Sequence, residues 1–146
     1  MDNKLKFKTR LVAIQIVSQQ LVNKNDIELI KEEFDKHYRN TIIDDNLEIV
    51  KYNINFLSKL INYFKTLNFE NLSKEINNII DFNRKFEKWD TINQAIMLIA
   101  ISELRNSETK KIKIILNDYL EISKSFITLK ETKLINSILD KLINEK

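Results

Sequence analysis

Lys6, Lys8, Arg10 and Gln15 fall close together near the start of the chain. On a helix, Lys6 and Arg10 are one turn apart. Lys8 is expected near the edge of the same face, and Gln15 a further turn and a half along, among apolar neighbours. Lysine and arginine neutralise phosphates, while arginine and glutamine also reach base edges or stack on them. This is chemistry for holding a single-stranded nucleic acid, and it makes or breaks no bond. Plainer readings stand beside it. Arg10 could be a surface partner of a neighbouring acid, and Gln15 a buried amide tying helix ends together. Lys124 and Lys133, much later in the chain, fit the edges of the same basic face.

Enzyme chemistry finds little support. The lone His37 lies in an acidic, polar stretch, with Glu33 one helical turn away. One such pair without a second is not a metal site, so a solvated surface histidine is the expectation. Cysteine is absent, which removes thiolate metal sites and disulfides. Glycine is absent too, and with it the usual phosphate-cradling loop. No catalytic residue, cofactor or metal is expected, and the chain is read as a non-enzyme.

The formal net charge of +3 is small but unevenly placed. Lys4, Lys6, Lys8 and Arg10 crowd the start; Arg105, Lys110, Lys111 and Lys113 crowd a later turn. Residues 25–50 hold eight acids against three bases. Separation of sign in this way leaves a basic face that can meet phosphate. The competing reading is solvated surface in a lysine-rich protein.

The elements that must position these residues read as helices throughout. With no glycine or proline in 146 residues, hairpin turns lose their usual residues, whereas helix interiors gain stability. Phe7, Leu11, Ile14, Val17 and Leu21 make one stripe. Asn25, with Glu28 at the capping-box position, is expected to start a second helix. Asp45 and Glu48 repeat that signal before Leu47, Val50, Ile54, Leu57, Ile61 and Phe64. A shorter helix carries Leu72, Ile76, Ile79 and Ile80 towards Phe86. Asp90 is placed to cap Ile92, Ile96, Ile99 and Leu104, with Trp89 packing across the start. Thr109 is placed to cap Ile112, Ile115, Tyr119, Ile122 and Phe126. Thr128 and Glu131 form a further capping box before Leu134, Ile135, Ile138 and Leu142. Asn23, Asn40, Asn68 and Asn106 sit where helix ends would otherwise use a left-handed glycine. The expectation is an all-α protein, about seven helices in a compact bundle, residues 1–146 forming a single domain. No apolar run is long enough for a membrane span, and the first residues lack the apolar core of a signal peptide. A cytoplasmic setting fits the absence of cysteine.

Three segments at fixed spacing go further. They are Ile99-Ala-Ile-Ser-Glu103-Leu, Asn117-Asp-Tyr-Leu-Glu121-Ile-Ser-Lys124-Ser-Phe126 and Leu134-Ile-Asn136-Ser-Ile-Leu139-Asp140. Together with Thr9-Arg10-Leu-Val-Ala13-Ile-Gln15 they resemble the NusB family, small helical RNA-binding antitermination factors of bacteria. The resemblance implies seven helices in two packed three-helix subdomains. It implies binding of boxA-type single-stranded RNA through the N-terminal basic segment, jointly with NusE, a small-subunit ribosomal protein, within the RNA polymerase antitermination complex. Arg10 and Gln15 match family positions identically, and Lys6 and Lys8 by charge. Phe7 replaces a family arginine and Ser18 a family aromatic. Ile127 and Ser137 stand at family glycines, and Lys111 at a family proline. Asn117 and Asn136 are expected as buried, hydrogen-bonded amides. The partner surface is expected near Asn93, and a homodimer through the RNA face is compatible with the family. Two other readings remain: a helical module of the kind joined to ribosomal RNA cytosine methyltransferases, and a helical interaction protein without RNA binding.

Overall fold

Short polar side chains cap most of the helix starts in this chain without glycine or proline. The computed structural model describes residues 1–42, 49–80 and 84–144. Among them are seven α-helices: α1 (Asn3–Asn23), α2 (Ile27–Glu33), α3 (Ile54–Lys65), α4 (Phe69–Ile79), α5 (Thr91–Arg105), α6 (Ile112–Phe126) and α7 (Leu129–Asn144). Asp2 accepts the Leu5 N–H at 2.7 Å and so opens α1. Asn53 and Asn68 do the same for α3 and α4 through the N–H groups of Phe56 and Asn71. Each bond satisfies one of the donors that a helix start leaves bare. The Thr128–Glu131 box forms as the sequence predicts: each residue's side chain accepts the other's backbone N–H.

Several boundaries differ from expectation. Asp26, not Asn25, caps α2, because its carboxylate accepts the Glu28 N–H. A π-helical turn, Phe34–Tyr38, then continues α2. The Asp45–Glu48 signal lies outside the described residues. Val50 is buried, yet it precedes α3 in extended chain that pairs back on Thr41. Tyr52 donates its hydroxyl to Asp35, and Arg39 donates to the Tyr52 carbonyl, so this stretch is tied to the π-helical turn and its end instead of coiling. α4 stops at Ile79, and Phe86 sits in a separate 3₁₀ turn, Phe86–Lys88. Thr109 opens another 3₁₀ turn, Thr109–Lys111, without a side-chain cap on α6. Among the described residues only Lys24 and Asn40 have positive φ, at 61° and 66°. Asn40 was expected there. Asn68 instead begins a helix, and Asn106 has φ −105°.

α5 is the axis of the molecule. Residues from Asn93 to Leu104 are buried without interruption. A helix buried on every side must be surrounded, and α5 packs against α1, α3, α6 and α7. α1 also meets α2 and α3, while α7 meets α4 and α6. The two groups share α5 and one continuous apolar core. No helix is long and apolar enough to cross a membrane among the described residues.

Candidate nucleic-acid interface

The N-terminal basic segment forms the first turns of α1, and the fold divides it. Successive helical residues are about 100° apart, so Lys8 points about 200° away from Lys6. Lys6 and Arg10 share one face, and Lys8 shares the other with Lys4. The expectation that Lys8 edges the face of Lys6 is therefore corrected. Lys6 and Lys8 are both half-buried.

Arg10 is not a surface cation. It is 4 % exposed. Its Nε and Nη2 donate to the two oxygens of Glu103 at 2.8 and 2.7 Å, and Nη1 donates to Asp118 at 2.7 Å. The guanidinium also lies over the rings of Phe56 and Tyr119. Burial works against its charge, but the bonds and charges of Glu103, with Asp118, more than offset this and raise its pKa further. The planar fork matches a carboxylate on two parallel bonds, which lysine cannot do. Tyr119 completes the cluster by donating its hydroxyl to Glu103 at 2.6 Å. Burial, then the Glu103 carboxylate, push that phenol well above its ordinary pKa. Arg10 thus locks α1 to α5 and α6, with its hydrogen-bonding edges turned inward. An RNA-facing Arg10 is corrected on this ground.

Above this cluster lies a cleft of about 460 Å³. It opens between the start of α1, the face of α3 and the turn leading into α6. Lys6, Lys59 and Lys111 line it, with the Phe56 and Tyr63 side chains, and Arg10 reaches its wall. The wall on the α3 side is held by Thr9, whose hydroxyl donates to Leu5 and accepts the Asn53 N–H at 3.0 Å. That bond joins the beginning of α3 to α1. Lys59 and Tyr63 escaped the sequence reading. Their spacing with Phe56 put all three on one face of α3, but spacing does not say what that face meets.

The remaining expected residues lie elsewhere. Gln15 is half-buried, and its amide has no hydrogen-bond partner among the described residues. Lys124 is exposed and paired with Glu121 at 2.9 Å. It is 13 residues beyond Lys111, about 20 Å along α6. Lys133 is exposed on α7. Asn93 is buried at the start of α5, and its amide donates to Glu131 of the α7 capping box. Its Oδ1 has no partner among the described residues. Asn117 is exposed and Asn136 half-buried, against the expectation of buried amides. His37 is exposed beside Glu33 at 3.6 Å. Among the described residues no group of three potential metal ligands converges.

Comparison with known proteins gives this geometry its setting. The model of the NusB family matches residues 7–144. The transcription antitermination protein NusB of Rickettsia felis is 29% identical, over 99% of this chain and 96% of that protein. Its counterpart from Blochmanniella floridana is 31% identical, over 94% of this chain and 91% of that protein. That of Colwellia psychrerythraea is 26% identical over 93% and 90%. With the seven helices and the matched length, these similarities establish that the chain belongs to the NusB family.

Proposed function

We propose that this chain is a transcription antitermination factor that binds boxA-type single-stranded RNA together with NusE during ribosomal RNA transcription. Family membership along nearly the whole chain is the observation that carries this reading. The relatives named antitermination proteins are matched over 91–96% of their own length, which favours them over a module of a methyltransferase. The basic start of α1 is a fitting RNA surface, with Lys6 contributing to it and Arg10 building the ground beneath it. Lys124 and Lys133 supply further cations on the α6–α7 side, and Gln15 a polar group on α1. The region around Asn93 is the proposed partner surface. The work belongs in the cytoplasm, in complex with RNA polymerase, and requires no catalytic group, cofactor or metal. A homodimer is compatible with this role as a storage form.

The mechanism is joint binding. Two weak RNA surfaces become one when the proteins are tethered, and the second contact gains from effective concentration. The test is a titration of boxA-like RNA with this protein, with NusE and with both. Joint recognition predicts that the mixture binds more tightly than either component. Linkage then requires RNA to strengthen the protein–protein contact by the same factor. A mixture no tighter than its better component sinks the proposal and leaves a helical interaction protein.

A further inference from the structure

The cleft above Arg10 gathers three cations from three separate elements: Lys6 from α1, Lys59 from α3 and Lys111 from the turn before α6. Carboxylates are also present, but they are engaged. Glu103 and Asp118 are held by Arg10, and Glu108 lies 3.4 Å from Lys110. None of the three lysines has a carboxylate within ion-pair distance among the described residues. Ammonium groups converging without a counter-ion repel one another, and an anion entering between them relieves that repulsion. The Tyr63 ring lines the same cleft and makes no aromatic pair with another described residue. The volume, about 460 Å³, falls within the range of small-ligand pockets, roughly 300–1,000 Å³.

We infer that this cleft is a nucleotide subsite, in which Lys6, Lys59 and Lys111 hold the phosphate of one single-stranded RNA nucleotide while its base stacks on Tyr63. The inference rests on the RNA-binding reading and names where on the chain the strand is gripped. An aromatic face accepts any base, so this subsite anchors the strand and leaves sequence choice to other contacts. Lys59 and Lys111 extend the basic surface beyond the N-terminal segment. They add cations beside the Lys6 face of α1, where Arg10 is committed to Glu103 and Asp118 and from which Lys8 points away.

The experiment is fluorescence anisotropy of a labelled boxA-like RNA over a series of salt concentrations. It compares the full chain with Lys59→Gln/Lys111→Gln, Tyr63→Ala and Lys124→Gln/Lys133→Gln, alone and with NusE. Thermal melts confirm folding, and both cleft lysines are exposed. The inference expects the cleft pair to lower affinity about tenfold or more. It should also reduce the slope of log affinity against log salt by up to about 0.7, the share of the single phosphate that the three lysines hold. Tyr63→Ala should weaken binding at least fivefold with the slope unchanged, since stacking releases no counter-ion. Ultraviolet cross-linking should map a uridine to the peptide containing Tyr63. If wild type binds RNA while the cleft variants keep its affinity and slope, the subsite is overturned and the RNA-binding reading survives. If wild type binds no RNA, even with NusE, both fall.

Discussion

Arg10 shows how one side chain's role depends on partners the local sequence does not reveal. Its carboxylates lie 93 and 108 residues away in the chain, so its neighbours on α1 suggest a ligand contact and the fold makes it a structural tie. Removing one member of a buried ion pair leaves the others uncompensated, at a typical cost of about 3–5 kcal/mol. Arg10→Ala should lose that much in urea unfolding. Arg10→Lys should recover only part, because the ammonium cannot bond both Glu103 oxygens in parallel. Stability equal to wild type in Arg10→Ala would contradict the tie. Lys24 is a second residue whose role is backbone chemistry. It closes α1 in the left-handed region at φ 61°, its N–H bonded to the Gln20 carbonyl at 2.8 Å. A Cβ is disfavoured there, and glycine is the usual occupant. Lys24→Gly should therefore stabilise by roughly 0.5–1 kcal/mol, less the extra freedom glycine gives the unfolded chain. Calorimetry should show a rise of a few degrees, whereas a fall would mean that the lysine side chain itself contributes there.

At the scale of the element, the turn between α6 and α7 carries a pH-sensitive support. The Glu131 carboxyl is held below the ordinary carboxylate value, first by the Thr128 N–H, then by the amide of Asn93 and the Thr128 hydroxyl. A folded-state pKa that is depressed adds stability above the unfolded value, and that stability is lost as pH falls through the folded one. Glu131→Gln should thus be less stable than wild type at neutral pH, with the gap closing below pH 4.5 as both side chains become neutral. Thr128→Ala should cost about 1 kcal/mol. A gap that widened on acidification would contradict this cap. That capping box was legible because Thr128 and Glu131 bond each other across three residues, whereas the Asn93 bond to it was not. The same locality made the α5, α6 and α7 stripes legible, with apolar residues every three or four positions. Boundaries failed where two capping residues adjoin, as with Asn25 and Asp26, or where a distant bond intervened. Val50 fits a helical stripe, yet the Tyr52–Asp35 bond holds its neighbourhood out of the helix. The candidate site was half legible for a related reason. Lys6 and Lys111 each stood out in a basic run, while Lys59 looks like ordinary surface, and nothing local shows that three elements bring them to one cleft.

On the scale of the whole molecule, the proposed RNA and partner surfaces occupy opposite ends of α5. The cleft lies over Glu103 in its last turns, and Asn93 is in its first. Ten residues of helix separate them by about 15 Å, beyond the ~7–10 Å within which substitutions usually couple. α5 is buried from Asn93 to Leu104 and packed against four helices, so the two sites are expected to cooperate through RNA bridging the partner and not through a change of shape. That makes a specific demand on variants. Lys59→Gln/Lys111→Gln should weaken RNA binding by the chain alone. Asn93→Ala should leave that binding intact and reduce only the gain that NusE provides. Asn93 is buried and bonded to Glu131 of the α7 cap, so it would act by positioning the surface around it, and a melt of Asn93→Ala measures what the lost bond to Glu131 costs. Combined, the changes should add in log affinity for the ternary complex to within ~0.5 kcal/mol. Titrations of the four proteins with RNA and NusE measure all of these terms at once. A clear departure from additivity, or loss of RNA binding by Asn93→Ala alone, would show that the two ends communicate through α5.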